Sequence, residues 1–405
     1  MSDAKNAVHP GPLSGVRVIE WGANYTVPLA GMILADQGAD VIKVEPPSGD
    51  GTRFASASRR GVSGMSASFL TANRNKRSIV LDLKQTSAKE TLHKMMVASD
   101  VVMQNFRPGV VESYGLGYES LKQANPQLVY VSVSGFGRTG PYSRQRVWDP
   151  VVQAVAGMMA SQGDPLTHEP CNIRTSIADK VTALIVSQAV TAALFARYRT
   201  GQGQHVEIDM LSAALSFSFV DAMFNHIWVG DDVEPGVDLR NLRFIYKTKD
   251  GKHICASAIS DKEWLALTAV VGMPHLVNDP RFKDPFSRLK NSMAMADELR
   301  AAFLTRNANE WLEVLRASDT VCAPVNTEED IFLDPQIVSA GLIATADHPT
   351  VGRYRQPVHP VGFSATPAQI RRLPPMLGEH SNEVLRELGL NDVQITQLRN
   401  DGAVL

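Results

Sequence analysis

The sequence predicts an α/β protein, with a parallel sheet flanked by helices and a second, smaller α/β unit after it. Three observations carry that expectation. Val16–Glu20 (VRVIE), the apolar run Leu29–Gly38 and Asp40–Glu45 (DVIKVE) follow one another as strand, helix and strand. That order gives a parallel pair joined by a right-handed crossover. Ser78–Leu83, Asp100–Gln104 and Leu128–Ser134 are further β-branched runs, each closed by a loop. Past the polar stretch Trp228–Arg243, a hairpin signal (Phe244–Lys249, Asp250-Gly251, His253–Ala258) opens the second unit.

Length and composition narrow the class. The chain has 405 residues, more than one ordinary core holds, with 44% hydrophobic and 20% charged residues. Its net charge of −2 gives no electrostatic case for nucleic acid or an anionic membrane as partner. The 3 cysteines, Cys171, Cys255 and Cys322, lie far apart, without CxxC or Cys/His ligand spacing, and read as free thiols. His205, His226 and His380 have no second ligand at metal spacing and read as structural. The opening MSDAKNAVHPGPL has no apolar core, so no signal peptide is expected there. No apolar run reaches the roughly 18 residues of a membrane span, and a cytoplasmic protein is expected.

In chain order, the first strand turns through Gly22-Ala23-Asn24-Tyr25-Thr26-Val27-Pro28. This resembles the opening of a dinucleotide-binding fold but lacks GxGxxG, so a nicotinamide fingerprint is absent. Pro46–Ser68 is a Pro/Gly/Ser-rich loop carrying Arg53, Arg59 and Arg60. The strands that follow end in Asn105-Phe106-Arg107-Pro108-Gly109 and Gly135-Phe136-Gly137. Ligands of open α/β sheets bind just past such carboxyl ends, so a crevice is expected there. Thr200–Val206 (TGQGQHV) turns into a strand at Val206–Met210, and a helix is expected near Leu211–Asn225. The second unit continues with helices at Asp261–Val271, Ser292–Phe303 and Asn309–Ala317, and from Glu328 the chain is loop-rich until a helix at Glu379–Leu388. The boundaries are placed at 1–226, 227–330 and 331–405.

Between these units Val181–Ala196 (VTALIVSQAVTAALFA) has the apolar periodicity of a mostly buried helix, closed by Arg197, Tyr198 and Arg199. Thr175, Ser176 and Asp179 precede it with the side chains that helix starts favour. Asp179 then has two readings: an N-cap, or an ionised carboxylate held by helix-start amides and available as a nucleophile.

The ordered short motifs resemble the family III CoA-transferases, the family of formyl-CoA and carnitine CoA-transferases. They run from Pro12-Leu13-Ser14-Gly15 and Gly38-Ala39-Asp40-Val41-Ile42-Lys43-Val44-Glu45, through Asn75-Lys76-Arg77-Ser78, Asn105–Gly109, Val152-Gln153-Ala154 and Thr200–Gln204, to Cys322-Ala323-Pro324-Val325 and Leu377-Gly378-Glu379-His380. In that family the catalytic aspartate stands just before the long apolar helix leading to TGxGQ, the place of Asp179. The resemblance implies a Rossmann-like large domain built from both chain ends, a small α/β domain inserted between them, and two chains interlinked like rings in a homodimer. It also implies CoA transfer through an aspartyl-CoA thioester on Asp179, with acyl-CoA and a small carboxylic acid as substrates and no tightly bound cofactor. By position, Asn24, Tyr25, Thr26, Leu81, Lys84, Asn105, Phe106, Arg107 and Arg146 are implied in CoA binding, and Asp149 in support of catalysis.

The chain departs from formyl-CoA transferases where Tyr25 replaces a glutamine, where Pro46 and Ser113 replace arginines, and in lacking the small-domain glycine run. Oxalate–formate exchange is therefore not expected, and Arg53 or Arg59 is the candidate to restore the missing charge. The related α-methylacyl-CoA racemases are the alternative reading, but their second base, a histidine, is Trp148 here, and indole is no base. A nucleotide-dependent dehydrogenase and a catalytically silent CoA-binding protein are opposed by the missing GxGxxG and by the retained Asp179.

Overall fold

A computed structural model describes residues 11–405, so most of the N-terminal stretch read above as free of a signal peptide lies outside the described residues. Six parallel strands form the main sheet: β1 (Arg17–Trp21), β2 (Asp40–Glu45), β3 (Lys76–Val80), β4 (Val101–Gln104), β5 (Val129–Ser134) and β6 (Gln204–Asp209). Their order is β3-β2-β1-β4-β5-β6, the doubly wound order. Val18 sits opposite both Val41 and Val101 in register. Because successive residues face opposite sides and both sides are covered, the strands read as continuous apolar runs.

On one side Val18, Val41, Val101, Met103, Val129 and Val131 share a core with α1 (Thr26–Asp36) and with a 24-residue helix, Ile177–Thr200. On the other, Ile19, Ile42, Ile79, Val102 and Tyr130 pack with the helix Thr86–Val97 and with Val384, Leu385, Ile395 and Leu398 of the two C-terminal helices, Ser381–Glu387 and Asp392–Asn400. The last segment of the chain thus completes the first core. By length and composition alone Ile177–Thr200 would suffice to cross a membrane, but its Ala183, Val186, Val190, Ala193 and Leu194 are buried in the sheet core.

The chain divides into two compact units: 11–156, 174–217 and 341–405 form one, and 157–173 with 218–340 the other. The sequence reading placed the boundaries at 226/227 and 330/331 and did not assign 157–173 to the second unit. That segment leaves the helix Asp149–Val155 through Gly157, with φ of +76°, and is tied to the second unit where Arg240 bonds His168 at 2.9 Å. The helix expected over Leu211–Asn225 stops at Ser218. The second unit is an antiparallel sheet of Ile245–Lys247, His253–Ser257 and Val321–Pro324, over a core of Trp264, Phe282, Leu299, Phe303 and Trp311.

Candidate active site

The strand order reverses between β1 and β4, so the loops after them part at the carboxyl end of the sheet. A cavity of about 680 Å³ opens there within the first unit. The loop after β1 brings Asn24, Tyr25 and Thr26 to it, and the loop after β4 brings Asn105, Phe106 and Arg107. The segment after β5 adds Arg146, Trp148 and Asp149, and the helix start beneath adds Asp179.

Three helices meet at the reacting end: α1 (Thr26–Asp36), α2 (Asp149–Val155) and α3 (Ile177–Thr200). The last begins earlier than the apolar run suggested, so Asp179 lies in its first turn, and its carboxylate is not the cap. Asp149 supplies the capping acceptor instead: its Oδ2 takes the Asp179 backbone N–H at 3.0 Å, while its Oδ1 accepts from Gln153. That frees the Asp179 side chain, whose Oδ1 accepts from the Thr26 hydroxyl. The helix-start amides were expected to hold this carboxylate ionised; its hydrogen-bond donor here is instead the Thr26 hydroxyl. Burial pushes the Asp179 carboxyl up to about 6, the Thr26 hydrogen bond works against that, and the nearby Asp149 charge adds to it.

The loop that presents Thr26 is held on several sides. Asn105 clasps Ala23 with both ends of its amide, accepting from the Ala23 N–H at 3.0 Å and donating to its carbonyl at 2.9 Å. Asn24 adopts a left-handed conformation, φ +66°, and its N–H reaches Asp50 at 3.3 Å. Gly22 allows the close approach, because a Cβ there would stand 2.6 Å from Val27 Cγ1. Tyr25 turns its hydroxyl to Ser68 at 2.9 Å, and Phe106 packs on Trp21 with ring centroids 4.6 Å apart.

Beneath the loop lies a buried charge chain. Glu20 pairs with Lys43 at 2.9 Å and with Lys76 at 2.7 Å, and Lys43 pairs in turn with Asp50 at 2.8 Å. Lys76 also donates to the Pro28 carbonyl in the first turn of α1 at 2.7 Å.

Of the residues picked from the sequence, the cavity gathers Asn24, Tyr25, Thr26, Asn105, Phe106, Arg107, Arg146, Asp149 and Asp179. Leu81 and Lys84 do not line it: Leu81 is a core side chain, 1% exposed, and Lys84 is on the surface past β3. Arg53 cannot restore the missing charge, since it is buried, paired with Glu45 at 2.7 Å and stacked over Phe69. Arg59 is exposed and donates to the Arg353 carbonyl. The cavity wall is completed by Phe136, Gln145, Val147 and Trp148. Of these the sequence pointed to Trp148, as an apolar wall, and to the Phe136 strand end, but not to Gln145 or Val147 as lining residues. No histidine or lysine is among the described residues lining the cavity, and the position of the racemase histidine is held by Trp148.

The profile of CoA-transferase family III matches residues 13–381. The human succinyl-CoA:glutarate CoA-transferase is 30% identical over 400 residues, covering 97% of this chain and 90% of that protein. The succinate–glutarate CoA-transferase of Agrobacterium fabrum is 33% identical over 391 residues, 93% of this chain and 96% of that protein. A solved CAIB/BAIF family protein from Brucella suis superimposes with a TM-score of 0.81 at 32% identity, covering 94% of this chain and all of the other. With the doubly wound sheet, the crevice at its switch point and a half-buried Asp179 in that crevice, the chain belongs to CoA-transferase family III and is an enzyme that moves CoA between carboxylic acids.

Proposed function

We propose that the chain transfers CoA from a small dicarboxylic acyl-CoA, with succinyl-CoA as donor, to a small carboxylic acid through a covalent intermediate on Asp179. The observation that carries this is the Asp179 carboxylate itself. It faces the cavity with Oδ1 held by Thr26, while Oδ2 has no protein donor among the described residues. Oδ2 attacks the thioester carbonyl; the C–S bond breaks and CoA leaves as thiolate, giving a mixed anhydride. The thiolate then attacks the Asp179 Cγ, the Cγ–Oδ2 bond breaks, and the donor acid departs with that oxygen. An acceptor carboxylate repeats the two steps in reverse and leaves as the new acyl-CoA.

The names of the two transferase relatives favour succinyl-CoA and glutarate as the pair to try first. Arg107 and Arg146, exposed at the rim and without an ion pair among the described residues, suit the phosphates of CoA. We extend the proposal to an interlinked homodimer, whose second subunit would help exclude water from the anhydride. Leu184, Phe195 and Tyr198 support this, being 59%, 63% and 88% exposed along one side of α3. Light scattering in solution tests that state, and a monomer would refute it.

The chemistry is tested by mass spectrometry after incubation with succinyl-CoA, with hydroxylamine trapping and Asp179→Asn alongside. An adduct on Asp179 that the variant lacks is expected. No adduct, together with α-deuterium exchange in heavy water, would favour the racemase reading instead.

A further inference from the structure

Thr26 is 3% exposed and opens α1, and it is the hydrogen-bond donor found on the Asp179 carboxylate. We propose that Thr26 divides the work of the two carboxylate oxygens, holding Oδ1 so that Oδ2 is presented to the thioester, and then donating to Oδ1 as an oxyanion forms there. The proposal rests on the covalent reading above. When CoA thiolate attacks Cγ of the anhydride, the Cγ–Oδ1 double bond opens and negative charge collects on Oδ1. A hydroxyl already placed on that atom stabilises the charge without reorganising. The same hydroxyl serves a second time when the acceptor carboxylate attacks the thioester.

The scaffold argues that the hydroxyl is placed rather than incidental. Its backbone is fixed by the Asn105 clasp on Ala23, by Asp50 on Asn24, and by Lys76 on Pro28. Asp179 is fixed through its own N–H by Asp149. Both partners are therefore anchored independently of the bond between them. The ionisable groups sharing the cavity with Asp179 are Asp149 from α2, Tyr25 from the loop after β1, and Arg107 and Arg146 from the loops after β4 and β5. Lys180, next along α3, turns to Thr175.

The test compares Thr26→Val, which keeps the shape and drops the hydroxyl, with Thr26→Ser, which keeps the hydroxyl. Exchange of labelled succinate into succinyl-CoA is followed across pH, with trapping of the Asp179 adduct in parallel. Thr26→Val should lower kcat by about 10- to 100-fold with the KM for succinyl-CoA changed little. It should also shift the acid limb to higher pH, because the bond to Thr26 favours the ionised form. Thr26→Ser should recover both. Unchanged kcat and limb in Thr26→Val, or a loss that Thr26→Ser does not recover, would overturn the proposal. A fall in kcat with an unmoved limb would overturn the hold on the resting Oδ1. If the wild-type protein forms no adduct and supports no exchange, the covalent reading itself fails, a result separable from any difference among the Thr26 variants.

Discussion

Asp179 sits in an environment that taxes its charge. Burial and Asp149 push its carboxyl up to about 6, and Thr26 only partly offsets them. Since the ionised form is the nucleophile, turnover should fall as pH drops through about 6, which a pH–rate profile checks. The effect on stability has the opposite sense. An acid whose pKa is higher in the fold than in the unfolded chain binds its proton more tightly when folded. Stability from this group is therefore gained as pH falls through about 6 and is lost once the carboxylate ionises. Asp179→Asn should accordingly abolish transfer yet raise stability at neutral pH by about 1–3 kcal/mol, read by urea denaturation. Asp149→Asn removes the neighbouring charge and should move the acid limb to lower pH. A limb that stays or rises would show that Asp149 does not act through charge. None of this was legible in the sequence. Asp179 could be picked out by its place before an apolar helix. That a second aspartate would take the capping role, and so release its side chain, depends on a contact 30 residues away in sequence.

At the scale of elements, the loop from Gly22 to Tyr25 and the start of α1 form the part that must be rigid. Asn105 clasps this loop, its amide oxygen and one of its N–H groups engaged with Ala23. Asn105→Ala should cut kcat by about 10-fold or more, since small misplacements of a positioned group are costly, while leaving the sheet intact by circular dichroism. A variant with wild-type kcat would remove the clasp from the mechanism. Gly31 has a similar constraint in α1: a Cβ there would stand 2.0 Å from Glu20 Oε2. Gly31→Ala should destabilise by about 1–3 kcal/mol, measured by denaturation. The strands were readable because β-branched runs with breakers on either side have a single good solution, and Asp40–Glu45 was placed to the residue. The helices Thr86–Val97 and Asp392–Asn400 were not, because charged and polar residues dilute their apolar stripe. Gln145 and Val147 were not picked out as part of the cavity wall, since irregular loops carry no periodicity to read.

Over the whole molecule, a row of buried charges joins the core to the site. Glu20, Lys43, Lys76 and Asp50 are ion-paired where the sheet meets α1 and the loop after β1. Removing one member leaves others buried and uncompensated, so Glu20→Gln should cost about 3–5 kcal/mol, visible as a lowered denaturation midpoint. The α/β class and the parallel opening unit were legible. The grouping of 157–173 with the second unit is a tertiary pairing without a local signature in the sequence. The central claim, that an Asp179 oxygen is exchanged with substrate in each cycle, is tested most directly with succinate whose carboxylate oxygens are heavy. After turnover with succinyl-CoA in ordinary water, the Asp179 peptide is weighed. Covalent transfer predicts heavy oxygen in Asp179, delivered from the attacking carboxylate. Labelled succinyl-CoA formed while Asp179 stays light would contradict it and point to direct transfer between the two acids.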